Sequence, residues 1–235
     1  KNLRERTAMA RLGEMASVVA HEVKNPLAGI GGALQVIVRR MPEKGRDRAV
    51  IGDILKRIEL LNDTMEDLLD YARPRTLRVA RVSLEMLLSR VRDQVLADPR
   101  FFGVEVVVDV KDHLTPDGET EQLTARLDER HMSAALLNLA INAAQALKGD
   151  GRVVLGARRE EQGVSMTVSD NGPGIPETLR PRIFEPFFTT RHQGTGLGLA
   201  IVRQTVERHG GTASLHCPAS GGTTVTLALP LNCED

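Results

Sequence analysis

Ala20-His21-Glu22-Val23-Lys24-Asn25-Pro26-Leu27 lies within a longer run in which Leu12, Met15, Ala16, Val19, Val23, Pro26, Leu27, Ile30, Leu34 and Ile37 recur at helical spacing. The spacing predicts one helix from about residue 3 to 40 with a single apolar stripe. At about 100° per residue, His21 falls opposite Val19 and Val23, so its imidazole points to solvent while its flanks face a core. Asn25, four residues on, shares the histidine's face, where its amide can orient a water or a phosphoryl oxygen. Pro26 lacks an N–H and collides with the carbonyl of Glu22, which predicts a bend just below the histidine. Alone, such a histidine is most simply a solvated surface residue; the rest of the chain changes that weighting.

The first helix should end in Arg40-Met41-Pro42-Glu43-Lys44-Gly45, where proline and glycine supply a turn. A second helix follows from about Asp47 to Ala72, with Ile51, Ile54, Leu55, Ile58, Leu61, Met65, Leu68, Leu69 and Ala72 on one face. Two such helices joined by a short turn make an antiparallel hairpin. A lone hairpin leaves its stripe half uncovered, and a second copy completes a four-helix bundle, so a homodimer through residues 1–75 is expected. Pro74 disfavours helical geometry at Arg73, which places a domain boundary there: 1–75 as the helical hairpin, 76–235 as a second domain.

Composition constrains the rest. Of 235 residues, 41% are apolar and 26% charged, as in ordinary globular proteins. Trp is absent and only one Tyr and five Phe occur, so the core must be built from Leu, Val, Ile, Ala and Met. Lys plus Arg and Asp plus Glu both number 31, leaving no global field to recruit nucleic acid, and direct nucleic-acid binding is not expected. Cys217 and Cys233 are far apart and without metal-ligand spacing, which argues for a reducing, cytoplasmic setting. No apolar run approaches the roughly 20 residues of a membrane helix, and no signal peptide is present. The chain opens at Lys1 in a charged helical register, so a fragment of a longer protein is expected, its upstream sensor left out.

Beyond residue 75 the pattern changes to alternating strands and helices. Val82–Ala97 suggests a short strand and a helix; Val104–Val110 is strand-like; Asp112–Glu121 is a polar turn leading to Gln122–Leu127. Asp128 can cap a helix running to about Lys148, closed by Gly149-Asp150-Gly151. Arg152–Arg158 with Gly163–Ser169, and Gly210–His216 with Thr223–Leu229, read as two β-hairpin pairs. The fold class expected is α+β and multidomain: a long two-helix hairpin, then an α/β sandwich.

Four segments of this second domain carry chemistry. Asn138-Leu-Ala-Ile-Asn142-Ala-Ala-Gln145 puts two amides at i,i+4 on one helix face, and such oxygens suit Mg²⁺. Ser169-Asp170-Asn171-Gly172-Pro173-Gly174-Ile175-Pro176 ends a strand in an acidic residue and glycines, a place where a base with an exocyclic amine can approach backbone. Ile183-Phe184-Glu185-Pro186-Phe187-Phe188-Thr189-Thr190-Arg191 gathers three phenylalanines that could anchor a mobile loop, with Arg191 at its tip able to meet phosphate. Gly194-Thr195-Gly196-Leu197-Gly198-Leu199 leads into a helix whose first N–H groups can cradle phosphate. It is not a Walker loop, because no Gly-Lys-Ser/Thr follows, and it lacks the context of a dinucleotide fingerprint. Each segment alone has an ordinary structural explanation.

In this order, the His21–Leu27 box, the Asn138…Asn142 box, Asp170–Gly174, Phe184–Phe188 and Gly194–Leu199 resemble the bacterial sensor histidine kinases of two-component systems. The resemblance covers essentially the whole chain. It implies a dimerisation and histidine-phosphotransfer hairpin followed by an ATP-binding domain of the gyrase-like fold. In such proteins the histidine accepts a phosphoryl group from ATP, the next acid is its base, the second Asn of its box binds Mg²⁺, the Asp reads adenine, and the loop from about Pro176 to Gly196 is a lid. Carried over, the roles fall on His21, Glu22, Asn142 and Asp170, with Asn25 near the chemistry. Nucleotide-lining positions are expected at Asn138, Asn142, Asp170, Gly172, Gly174, Ile175, Phe187, Arg191, Gly194, Thr195, Gly196, Leu197, Gly198 and Leu199. Arg191 stands where relatives often have Lys. A response regulator receiver domain is the expected partner, and phosphatase activity a possible second one. An ATP-hydrolysing clamp of the same nucleotide fold would need a Glu where Asn138 stands; a degenerate scaffold would have lost a motif. His113, His131, His192, His209 and His216 read as surface or loop residues.

Overall fold

The structure, a computed structural model, describes residues 23–42, 45–72, 76–111, 113–114, 120–191 and 194–230. His21, Glu22, His192 and Cys233 lie outside them. The chain divides into two compact units, Lys1–Arg75 and Thr76–Asp235.

In the first unit, α1 (residues 23–40) and α2 (Arg46–Ala72) form the hairpin. Lys24 Nζ meets Glu66 Oε1 at 2.8 Å, and Gly31 lies against the Ile58 side chain. Both pairings fall symmetrically about the turn, as an antiparallel pair requires. Arg48 closes that turn by donating to the carbonyls of Val38 (2.9 Å) and Met41 (3.1 Å), a cation at the carbonyl end of α1. Gly31 and Ile58 are buried, whereas Ile30, Ile37, Val50, Ile54 and Leu61 are exposed. The apolar stripe is thus wider than one neighbouring helix can cover. Pro26, which the periodicity places on the stripe, is also exposed, and α1 continues through it.

The second unit is a two-layer α/β sandwich. Strands β1 (Ala80–Ser83), β2 (Val104–Lys111), β3 (His113–Leu114), β4 (Thr120–Glu121), β5 (Thr124–Leu127), β6 (Gly151–Glu160), β7 (Gly163–Asp170), β8 (Thr212–His216) and β9 (Thr223–Pro230) alternate with α3 (Leu84–Leu96), α4 (Glu129–Ala146) and α5 (Gly198–Arg208). Five strands form the main sheet in the order β2-β6-β7-β9-β8. All its pairings are antiparallel except β2 with β6, which is parallel and spans Val104 opposite Gly151 to Lys111 opposite Arg158. Periodicity alone does not reveal that crossover. The polar stretch read as a turn contains a short antiparallel pair, β3 with β4, and β1 pairs with β5 beside it.

One sheet face carries Val153, Leu155, Val164, Met166, Val168, Val225 and Leu227, all buried in one core with Leu87, Leu88 and Val91 of α3, Met132, Leu136 and Ala140 of α4, and Val202 and Val206 of α5. The other face presents residues such as Ser169 and Thr224, whose hydroxyls bond at 2.9 Å. That alternation is how a sheet covered on one side is written into sequence.

Asp128 fixes α4 to its surroundings. Its Oδ1 accepts from the His131 N–H (3.0 Å), the helix cap expected from sequence, and its Oδ2 accepts from the N–H of Arg78 (2.6 Å). Its own N–H donates to Nε2 of His209 at 2.9 Å. His209 is therefore not a surface or loop residue: it is fully buried at the end of α5, and its Nδ1–H donates to the Thr205 carbonyl at 2.7 Å. With Nε2 accepting and Nδ1 donating, the ring is neutral and its tautomer fixed.

Burial lowers the His209 pKa below its ordinary 6.5, outweighing the Thr205 carbonyl and Asp128, which pull it upward. Burial also opposes ionisation of Asp128, yet the N–H groups of Arg78 and His131 and the His131 side chain bring its pKa down to about 2 from 3.8. Both shifts are downward, so the unfolded chain binds more protons on acidification. Stability should begin to fall as pH drops below about 6.5 through His209, and fall again between 3.8 and about 2 through Asp128. Replacing His209 by Ala leaves a cavity and an orphaned Asp128 N–H; we expect a loss of about 2–4 kcal/mol in urea unfolding at pH 7.5. The same variant should lose the upper step of the pH profile.

Candidate functional site

Helix α4 is the spine on which the sequence-predicted segments meet. Asn138, Asn142, Gln145 and Ala146 follow one another at i, i+4, i+7 and i+8, one face of a helix. A Cβ placed on Gly198, the first residue of α5, would lie 3.7 Å from the Asn138 amide carbon. Arg191 donates from Nη1 to Asn142 Oδ1 at 2.8 Å and to Gln145 Oε1, and from Nη2 to the Asn142 carbonyl at 3.3 Å. A Cβ on Gly172 would stand 3.6 Å from Ala146 Cβ and 3.5 Å from a Leu147 methyl. Segments far apart in sequence thus touch successive turns of one helix.

Asp170 ends β7, half-buried. Its Oδ1 accepts from the Gly172 N–H at 2.9 Å, closing the turn. Burial raises its pKa above the ordinary 3.8, against the opposing pull of the Gly172 N–H and of the Thr223 N–H and hydroxyl. The turn is braced by the loop between β8 and β9, where the Gly222 N–H donates to the Gly172 carbonyl at 2.7 Å. Gly222 has φ +87°, and a Cβ there would come 2.6 Å from the Asp170 carbonyl oxygen. Backbone thus supports backbone with no room for a side chain. Gly222 and Thr223 are site residues that the sequence reading misses; a Gly-Gly pair signals a turn but not what the turn will touch.

The glycine segment is packed against the phenylalanine segment. Gly196, at φ +69°, would place a Cβ 2.5 Å from the Phe187 carbonyl carbon. Phe187 itself has φ +64° and is 59% exposed, so of the three phenylalanines it anchors nothing. Phe184 packs against the core, and Phe188 lies under the Arg182 guanidinium at 4.5 Å. Thr189 shapes the loop tip, its Oγ1 accepting from the Arg191 N–H at 3.1 Å.

Helix α5 starts without a side-chain cap, and Thr195 Oγ1 accepts from the Leu197 N–H just before it at 3.2 Å. The first N–H groups of α5 are therefore donors of the kind that receive anions. Leu197 is buried and Leu199 packs on the core, so any part they take in a site is through backbone. Gly174, at φ +76°, and Ile175 continue the Asp170 turn, and Gly194 closes back on Arg191. Asn25 is exposed on α1, in the other unit. Among the described residues no three His, Cys, Asp or Glu side chains converge as metal ligands, and no helix is long and apolar enough to cross a membrane.

Comparison with known proteins gives two family matches. Residues 11–77 match the His Kinase A (phospho-acceptor) domain, and residues 127–232 match the histidine kinase-, DNA gyrase B- and HSP90-like ATPase. The sensor histidine kinase ZraS of Escherichia coli (strain K12) is 33% identical over 230 residues, 98% of this chain and 48% of that protein. The chain thus spans about half the length of the curated relatives it matches. Full-length ShkA, solved in complex with AMPPNP, is similar with TM-score 0.78 and 29% identity over 94% of this chain and 46% of that one. Histidine kinase ThkA, solved in complex with response regulator protein TrrA, gives TM-score 0.70 and 27% identity over 99% of this chain and 65% of that one.

Because Thr223 holds the Asp170 carboxylate against the cost of burial, Thr223→Val should raise the Asp170 pKa further. Carboxyl-carbon NMR titration of the two proteins measures it; an unchanged midpoint would remove Thr223 from the site.

Proposed function

This chain belongs to the bacterial sensor histidine kinases of two-component signalling, and on that premise we propose that it moves the terminal phosphoryl group of ATP to His21 and then to an aspartate of a response regulator. One observation carries the reading: α4 gathers the Asp170 turn, Arg191 and the start of α5 along a single face. A triphosphate has a base, a charged chain and a counter-ion to be held, and these three segments offer a carboxylate, a guanidinium and free N–H groups.

In this mechanism Asp170 accepts from the exocyclic amine of adenine, and the glycines that follow it, Gly172 and Gly174, let the ring approach backbone. The N–H groups at the start of α5 receive phosphate oxygens. Asn142 Oδ1 is a hard oxygen of the type Mg²⁺ takes, so the residue present fits that ion. When bound, the ion supplies neutralisation of the triphosphate charge. Glu22 accepts from one ring nitrogen of His21 and leaves the other as nucleophile. That nitrogen forms a bond to the γ-phosphorus as the bridging oxygen leaves with ADP, and the protein contributes chiefly position and charge. Asn138 stands where a hydrolysing relative would need a base; an amide cannot serve, and it packs instead against Gly198. The exposed amide of Asn25, four residues after His21 in the sequence, supports a second activity, water-driven removal of phosphate from the regulator.

The partner regulator is supported by the solved complex of ThkA with TrrA. The exposed Ile30, Ile37, Val50, Ile54 and Leu61 support a homodimer, in which a second hairpin covers them.

Incubated with Mg²⁺ and ATP labelled on its γ-phosphate, the chain should acquire acid-labile label. His21→Gln should abolish that label while calorimetric binding of an ATP analogue is kept; label that persists would move the acceptor elsewhere. Ile54→Glu should shift the chain from dimer to monomer in sedimentation, without loss of helix content.

A further inference from the structure

Arg191 occupies an unusual place for a residue expected to meet phosphate. Its guanidinium spans the side-chain oxygens of Asn142 and Gln145 and the main-chain carbonyl of Asn142. Helix α4 has no basic residue in its last turn, although the carbonyl end of a helix favours a cation. Arg191 brings that missing charge from a loop nearly fifty positions away in the chain. Its approach is prepared: the Thr189 hydroxyl receives the Arg191 N–H, and the Gly194 N–H donates to the Arg191 carbonyl at 3.4 Å.

One of the oxygens that Arg191 holds, Asn142 Oδ1, is that of the metal site proposed above. A Mg²⁺ ion sits about 2.1 Å from its ligand oxygen, whereas Arg191 Nη1 is 2.8 Å from the same Asn142 Oδ1. The two cations would then lie less than about 5 Å apart, with no carboxylate of α4 between them. They compete for one acceptor face. Gln145 bears on the outcome differently from Asn142: in this arrangement its amide oxygen serves the guanidinium.

We propose that Arg191 is a latch: without nucleotide it takes the place of the metal ion on the Asn142–Gln145 face of α4 and holds the lid there, and the metal-loaded nucleotide must expel it. Gln145 is then a positioning residue that sets how firmly the lid is held. The released guanidinium is free to turn to the phosphates, so one side chain serves both states. This rests on the nucleotide reading given above and adds to it an exchange of cations and a role for Gln145.

The test removes Gln145 alone. Gln145 is exposed near the end of α4, and Ala is the best helix former, so Gln145→Ala keeps the fold. In the full chain with Mg²⁺ and a nonhydrolysable ATP analogue, Gln145→Ala should tighten binding about 3- to 10-fold, the weight of one solvent-exposed hydrogen bond of ordinary strength. In an Arg191→Ala background the same substitution should change nothing, because the latch is already gone. Weaker binding in Gln145→Ala would make Gln145 a nucleotide or metal ligand and overturn the proposal. Unchanged binding, or an equal gain in both backgrounds, would overturn it as well.

A second measurement separates this idea from the function on which it rests. Hydrogen exchange of residues 187–197 in the nucleotide-free chain should be faster in Gln145→Ala and in Arg191→Ala than in the parent. Exchange that is equal in all three overturns the latch. If the parent binds no nucleotide, the proposed function falls, and the exchange comparison still decides the latch.

Discussion

Helix α4 can organise the second unit only because both of its ends are held, and the stronger hold is on the buried side. The Asp128 carboxylate receives two backbone N–H groups while its own N–H rests on a neutral, buried imidazole. A polar cluster this deep is tolerable only when each group finds a partner, and here the geometry supplies them. The far end of α4 is different: its polar partners come from a surface loop through Arg191. One end is therefore held by buried groups, and the other by an exposed side chain.

Much of this was legible in the residues. The change from helical spacing before residue 75 to alternating strands after it marked the two units, and the low aromatic content anticipated a core of leucine, valine, alanine and methionine. The Asp128 cap was readable because capping is local: the side chain reaches a backbone group three residues on. The parallel pairing of β2 with β6 was not readable, since a strand's pattern says which face is buried but not which neighbour it takes.

His209 shows where local reading fails. Beside Gly210 and Gly211 it looks like a loop residue, yet it continues the buried face of α5 from Val202 through Thr205 and Val206, at steps of three, one and three. Extending the stripe to one more position would have found it. Gln145 was visible in the same way, one turn beyond Asn142 on the same face, but nothing in the sequence pointed to Arg191 as its partner. The close contact of Gly222 with the Asp170 turn depends on how two distant loops stack. No local pattern carries that information.

The link from Asp128 to Arg78 has a mechanical meaning. Arg78 follows the segment at which the two units join in sequence, and its main-chain N–H is tied at 2.6 Å to the cap of α4. The chain entering the second unit is thus pinned to the first turn of that helix within a few residues of its entry. Where the main chain enters the unit and where its central helix begins are therefore set by one and the same carboxylate.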